Sequence, residues 1–268
     1  MMTDIRLGFL GNGNMGYAIL KGLIEKKVLL PEEMAIYDPV AAVRDRAKAL
    51  GSQVFESEAE LAAHSEAVLA AVKPQNAKAL FEKVAPYLKG KLLLSIVAGY
   101  DVAAIKEALG EENVRILRIM PNTPAMAGAG VFGLDAGSEA TEEEKQQVAG
   151  WLSELGLVEW VDEHLFPVMT GLSGGGPAYV AMFIEALADG GVKYGLKRDQ
   201  ALKIAAQTVY GSAKLVLESG QHPAVVKDNV CSPAGTTIEG VQALEDAAFR
   251  STVMKAVEKS TLKALHLK

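Results

Sequence analysis

Two stretches of this chain carry residue types suited to holding an anion and doing chemistry beside it. One reads Asp228-Asn229-Val230-Cys231-Ser232-Pro233-Ala234-Gly235-Thr236-Thr237-Ile238-Glu239-Gly240, a loop that leads straight into a helical pattern. Backbone N–H groups at a helix start are unpaired, the helix dipole adds positive potential, and hydroxyls donate hydrogen bonds. Such a loop is an anion cradle. The other stretch is Arg6-Leu7-Gly8-Phe9-Leu10 followed by Gly11-Asn12-Gly13-Asn14-Met15-Gly16. A GxGxxG run with an apolar strand before it and helical spacing after it (Tyr17 to Ile24) points to a dinucleotide pyrophosphate. The next strand candidate ends on Asp38, about 20 residues beyond Gly16, the spacing of an acid that binds the adenosine ribose.

These motifs need elements to aim them. Strand candidates fall at 5–10, 34–37, 67–72, 92–96, 114–119 and 131–134, with helices near 15–26, 41–50, 76–88 and 102–109 between them. Short apolar strands alternating with helices imply a parallel sheet covered on both faces. Thr141-Glu142-Glu143-Glu144 is a capping box that opens a helix to about Leu155, and 157–161 reads as a last strand. After Glu163 the alternation stops, and 177–194, 198–219, 222–229, 236–246 and 249–266 all show helical periodicity. The expected fold is α/β then all-α: a Rossmann dinucleotide-binding domain over 1–162 and a helical domain over 163–268. Segment 178–189 is apolar nearly all round, so it belongs in the domain's own core or in a subunit interface.

Bulk properties narrow the function classes. Half of the 268 residues are apolar and 22% are charged, ordinary for a soluble globular protein. A net charge of −6 leaves no footprint for nucleic acid or an acidic membrane. One cysteine, Cys231, allows no internal disulfide and fits a reducing cytoplasm. With four histidines and that one cysteine, no cluster has metal-ligand spacing. No apolar run reaches membrane-span length, and residues 1–4 do not begin a secretory leader.

Further runs are specific enough to place the chain beside a family. They are Gly8-Phe9-Leu10-Gly11-Asn12-Gly13-Asn14-Met15, Ala71-Val72-Lys73-Pro74, Met120-Pro121-Asn122-Thr123-Pro124, Thr170-Gly171-Leu172-Ser173-Gly174-Gly175-Gly176-Pro177-Ala178-Tyr179, Leu187-Ala188-Asp189-Gly190-Gly191-Val192 and the Asp228–Gly240 loop. In this order, over essentially the full length, the chain resembles pyrroline-5-carboxylate reductases, the last enzymes of proline biosynthesis. The resemblance implies a helical domain that interlocks with its twin, hence a dimer, often built further into a ring of dimers. It implies NAD(P)H-dependent reduction of the imine of 1-pyrroline-5-carboxylate, with the substrate site at the dimer interface.

The resemblance also implies roles at named positions. Backbone N–H groups of Gly235, Thr236 and Thr237, with Ser232, suit the substrate carboxylate; an ordinary helix N-cap made by Ser232 or Thr236 is the competing reading. Thr237 hydroxyl is the candidate contact to the ring nitrogen, and Glu163 is carried over as a substrate contact favouring a cationic nitrogen. The turn Leu10, Gly11, Asn12, Gly13, Asn14, Met15 should cradle the pyrophosphate, and Asp38 the ribose. Ala71, Val72, Lys73, Pro74, Ala98 and Asn122 should line the nicotinamide half, with Asn229 reaching the cofactor from the helical domain. Two departures stand out: Gly175 replaces the family's usual serine, and Asp38 and Glu58 fall where members using NADPH carry uncharged polar residues. An acid at Asp38 repels a 2′-phosphate, so NADH is expected to serve at least as well as NADPH unless Arg44 and Arg46 fold back to offset it. Two rivals share parts of this pattern. A β-hydroxyacid dehydrogenase would need a lysine early in the long helix, and Gly171 to Val192 holds none. A non-catalytic dinucleotide sensor would have no use for the Ser232–Thr237 loop.

Overall fold

The computed structural model describes residues 5–110 and 113–266; the expectation about residues 1–4 lies outside them. Eight strands run β1 (Ile5–Leu10), β2 (Met34–Tyr37), β3 (Gln53–Val54), β4 (Ser65–Ala70), β5 (Leu92–Ser95), β6 (Arg115–Pro121), β7 (Gly130–Asp135) and β8 (Gly156–Val161). They form one sheet in the order β3-β2-β1-β4-β5-β6-β7-β8. Helices α1 (Asn14–Glu25), α2 (Ala41–Lys48), α3 (Glu58–His64), α4 (Pro74–Leu88), α5 (Val102–Leu109) and α6 (Glu142–Ser153) fall between strands. Then come α7 (Phe166–Met169), a π turn (Thr170–Gly174), α8 (Gly176–Lys193), α9 (Arg198–Ser219), α10 (Pro223–Val230), α11 (Thr236–Asp246) and α12 (Phe249–Leu265). The chain divides into two compact units, Met1–Gly174 with Thr261–Lys268, and Gly175–Ser260.

Strand alternation builds the first unit's two-sided core. Leu7 and Phe9 of β1, Leu92 and Leu94 of β5, and Leu117 and Ile119 of β6 pack on one face under α1 and α6. Leu10, Leu93 and Ile116 point to the other face, under α3, α4 and α5. Phe9, Phe81 and Phe132 are fully buried. The capping box opens α6 as read: Thr141 Oγ1 accepts from Glu144 N–H at 3.2 Å, and Glu144 accepts from Thr141 N–H at 2.8 Å.

Three features differ from the sequence reading. The sheet is not wholly parallel, because β6 and β7 pair antiparallel. Only the short 3₁₀ turn at Thr123–Ala127 lies between them, and a parallel crossover needs a dozen or more residues. Strand β3, two residues long, is too short to show alternation. Helix α3 is only about two turns long, Ala-rich, and starts on Ser57, whose hydroxyl accepts from Glu60 N–H.

The second unit is helix throughout. Antiparallel α8 and α9 pack through Ala188, Ala201 and Ala205, with Ile184 and Val192 at the margin. Those three alanines are its buried residues among those described. Val180, Met182 and Leu187 on α8, together with Leu215 and Leu217 on α9, are exposed.

Candidate active site

Register places the first set of site residues. Leu10, Tyr37, Ala70 and Ser95 stand in one row across four adjacent parallel strands, so the segments after them emerge at one edge. The chain leaves β1 toward β2 and β3, then returns to lay β4 on β1's other side. That reversal opens a crevice at the strand ends, where open sheets bind ligands.

The glycine turn sits in this crevice. Gly11 has φ +87°, and a Cβ there would lie 2.9 Å from the Ala71 carbonyl oxygen, so only glycine fits. Gly16 lets α1 close on the turn: a Cβ would meet the Gly11 carbonyl oxygen at 2.9 Å. Gly13 is the N-cap of α1 with no side-chain cap, and nothing stands within 4 Å of where its Cβ would be. The first amides of α1, on Asn14 and Met15, therefore face open space beside a positive dipole end. Asn12 is fully buried, with both side-chain polar atoms lacking partners. Leu10 is buried too, and its carbonyl accepts from Ala71 N–H at 2.8 Å. Bare amides, an open glycine and an orphaned buried amide fit a pyrophosphate.

Asp38 follows β2 and is buried. One carboxylate oxygen accepts from Asn12 N–H and the other from Val40 N–H, each at 2.9 Å. Ala71 and Val72 continue β4, Lys73 caps α4 without a side-chain bond, and Pro74 takes its first position. A cavity of about 400 Å³ lies beside them, lined by Leu10, Gly11, Tyr37, Pro39 and Val72. Glu58 and Lys83 meet across its rim at 2.7 Å; this partner holds the Lys83 ammonium above its usual range.

A second cavity, about 460 Å³, is lined by Ala98, Gly99, Arg118, Met120, Glu163 and Thr170. Glu163 stands just past β8, and its Oε1 accepts from Arg118 Nη1 at 2.9 Å and from Val102 N–H at 2.8 Å. One oxygen thus joins β6, the start of α5 and the β8–α7 junction. The Arg118 guanidinium lies 4.7 Å from the Phe166 ring. Burial pushes the nearby Asp135 carboxyl up; the Gly137 N–H bond opposes this, Glu163 and Asp162 add to it, and Arg118 opposes it. Asn122 is buried at the end of β6, donating to the Ser173 carbonyl at 3.1 Å and accepting from Val131 N–H at 2.8 Å. It thereby pins the π turn, a distortion frequent at functional sites.

The remaining candidates belong to the second unit. Asn229 is near the end of α10, and Ser232, Gly235, Thr236 and Thr237 form the turn into α11. Gly235 N–H bonds the Ser232 carbonyl at 3.0 Å, and Ala234 takes φ +56° to make the bend. The N-cap of α11 is Gly235, and no side chain caps it. Neither Ser232 nor Thr236 plays the capping part, so the first amides of this helix are bare. Ser232 and Thr236 are exposed, and Thr237 is half-buried.

The sequence reading passed over Arg118 and named Arg46 only as a charge that could offset Asp38. Arg118 is a charge inside an apolar strand, two residues before Met120-Pro121-Asn122, and that pattern is a signal for a buried partner such as Glu163. Arg46 lies 3.7 Å over the Tyr17 ring and donates to the Asn12 carbonyl at 2.8 Å, closing the outer side of the glycine turn. It stands 34 residues from Asn12, so spacing alone gave no sign of this contact with the glycine turn. No helix among the described residues is long and apolar enough to cross a membrane.

Comparison with known proteins agrees with both halves. A family model described as pyrroline-5-carboxylate reductase dimerisation matches residues 163–267, and one described as NADP oxidoreductase, coenzyme F420-dependent, matches residues 6–99. The chain is 43% identical over 259 residues to the pyrroline-5-carboxylate reductase of Escherichia coli K12, covering 95% of each chain. It is similar in structure to a Plasmodium falciparum pyrroline carboxylate reductase solved with NADP bound, with TM-score 0.88, 36% identity and 98% of each chain covered. A Coxiella burnetii pyrroline-5-carboxylate reductase superposes with TM-score 0.91 at 30% identity over 99% of each chain.

Proposed function

The chain belongs to the pyrroline-5-carboxylate reductase family, and we infer from its own residues how it performs the family reaction. It is an oxidoreductase that uses NADPH or NADH to reduce the imine of 1-pyrroline-5-carboxylate to L-proline, the last step of proline biosynthesis. When bound, the nicotinamide supplies the hydride. The chain's part is to hold, orient and desolvate.

The observation that carries the residue-level reading is the bare start of α11. The free N–H groups of Thr236 and Thr237 hold the substrate carboxylate, with Ser232 beside them, because a dipole end lined by unpaired donors favours an anion; Gly235, expected to donate as well, spends its N–H on the Ser232 carbonyl and instead shapes the turn. Thr237 hydroxyl contacts the ring nitrogen. Threonine is too weak an acid to supply a proton, so the substrate reacts as its iminium ion and the hydroxyl orients the nitrogen. At the other site, Asn14 and Met15 amides hold the pyrophosphate, with Leu10 to Gly13 shaping the turn and Asp38 bracing it. Ala71 to Pro74, Ala98 and Asn122 line the nicotinamide half, and Asn229 reaches the cofactor.

Glu163 takes a different part from a direct substrate contact. Its charge is met by Arg118 and its Oε1 is held by the α5 amide, so it positions the β5–α5 loop that carries Ala98.

Residues 163–267 form a dimerisation domain. The uncovered apolar faces of α8 and α9 support a homodimer as the folded unit, and a ring of dimers is the further assembly we propose. One free cysteine accords with a cytoplasmic setting. Nicotinamide oxidation with pyrroline-5-carboxylate, with a hydroxyacid and with neither tests the reading. Turnover with the imine alone is expected; turnover with the hydroxyacid, or with nothing, would overturn it.

A further inference from the structure

The cavity of about 460 Å³ holds two charged side chains whose hydrogen-bonding capacity is only partly used. Register puts Arg118 opposite Ser95, so it continues the row of Leu10, Tyr37, Ala70 and Ser95 onto a fifth strand at the crevice. Its side chain is only 11% exposed; the guanidinium lies against Phe166 and gives Nη1 to Glu163 Oε1. Nε and Nη2, which form one edge of the guanidinium fork, meet no acceptor among the described residues. Glu163 is used unevenly as well. Oε1 accepts both of its bonds, from Arg118 and from Val102 N–H, and Oε2 accepts none among the described residues.

Unused donors beside an unused acceptor define a ligand chemistry. The pair is neutral as a whole, so an anion at the Arg118 edge would also face the Glu163 charge, and a cation at Oε2 would face the guanidinium. A primary carboxamide avoids both conflicts. Its carbonyl oxygen accepts from an arginine and its NH₂ donates to a carboxylate, and bonds to ionised partners are the stronger kind. Ala98 and Gly99, from the loop after β5, line the same cavity. Glu163 Oε1 holds the first amide beyond that loop, so one carboxylate can fix the loop with one oxygen and a ligand with the other.

We propose that Arg118 and Glu163 clamp the ring carboxamide of the nicotinamide, its carbonyl on Arg118 and its NH₂ on Glu163 Oε2, and so set which face of the ring is turned to the imine. This rests on the reading of the crevice as the nicotinamide half and adds the two side chains that recognise the ring substituent. Calorimetry on the full-length protein tests it without turnover. The ligands are NADP⁺, its 3-acetylpyridine analogue, which has a methyl in place of the amide nitrogen, and 2′-phospho-ADP-ribose, which has no ring. NADP⁺ is expected to bind about fivefold to tenfold tighter than the acetylpyridine form, the loss of one bond to a charged acceptor. Glu163→Gln, which can keep the loop bond but puts a donor at the free edge, should bring the two within about twofold. Arg118→Lys keeps a charge for Glu163 without the fork; it should weaken both ring-bearing forms about tenfold and leave 2′-phospho-ADP-ribose as it was. A pair that only braced the loop would shift both ring-bearing forms by one factor. Equal affinity for NADP⁺ and the acetylpyridine form in the unaltered protein, or an unchanged ratio in Glu163→Gln, therefore overturns the proposal. Retained binding of the ring-less ligand shows that a variant is folded; if Arg118→Lys fails to fold, the Glu163→Gln ratio decides. If the unaltered protein binds none of the three, the dinucleotide reading itself falls and the clamp with it.

Discussion

The two units of this chain spend their apolar residues differently. In the first, strands alternate and helices cover both sheet faces, so leucines, isoleucines and phenylalanines from many elements vanish into two cores. In the second, the buried residues among those described are three alanines, while Met182 is 70% and Leu217 78% exposed. A covered parallel sheet closes its core within one chain. A few helices of comparable apolar content, each with a stripe that a single neighbour cannot cover, do not. Apolar faces of that kind mark an interaction surface, and a second copy offers the same faces by symmetry. The first unit is therefore built to hold a cofactor, and the second to find its twin.

The sharpest way to break this contrast is a charge on the uncovered faces. Met182→Lys and Leu217→Lys together should abolish the dimer and essentially all activity. Light scattering reads the assembly; a stable, active 28.4 kDa species in the unaltered protein would show that the helical unit needs no partner. In the first unit the same scale of damage requires the core. Phe81→Ala should cost about 3–5 kcal/mol, read as a lower midpoint in denaturant, because the site is fully buried. Dimerisation should survive in whatever fraction stays folded.

Smaller effects belong to the two anion sites. Thr237→Ala should lower kcat/KM by roughly tenfold to a hundredfold, the cost of about 1–3 kcal/mol for a lost hydrogen bond to a buried partner. Thr237→Ser should recover most of it. A thermal melt alongside separates this from a stability role; full activity in a destabilised protein would remove Thr237 from the mechanism. For Glu163, the brace reading predicts that Glu163→Gln, which keeps an acceptor, raises KM for the cofactor while KM for the imine changes little. A rise confined to the imine would return Glu163 to the substrate.

The smallest effect is electrostatic. The Arg115 hydrogen bonds hold the Glu144 carboxyl below its usual range. A carboxylate favoured in the folded state stabilises above its unfolded pKa of about 4.3, and that contribution is lost as pH falls through the lower folded value. Glu144→Gln should cost about 1 kcal/mol at neutral pH and nothing in strong acid. Asp135 works the other way. Burial raises its carboxyl, so its contribution is present at low pH and lost as pH rises through the folded value, and Asp135→Asn should flatten that loss.

Most of the architecture was legible in the residues. Periodicities near 2 and 3.6 are written locally, so nearly every strand and helix fell close to its expected place, and the capping box at Thr141 opened its helix as read. The motifs that carry the family are contiguous runs, so the reaction class and the dimer were readable too. What escaped was set by distance in the chain. The antiparallel turn of β7 depends on how short its connection is against the geometry of a crossover, and β3 is strand only because β2 lies alongside. Asp38 reads as a free acid until the fold brings the Asn12 amide to it, and whether Arg44 and Arg46 fold back is decided only when their guanidinia close on the loop and the glycine turn. Glu163 reads as a lone carboxylate until β6 delivers Arg118. Propensity and motif act through neighbours in sequence; the charge that a buried group finally presents is decided by partners tens of residues away, and only the tertiary structure supplies them.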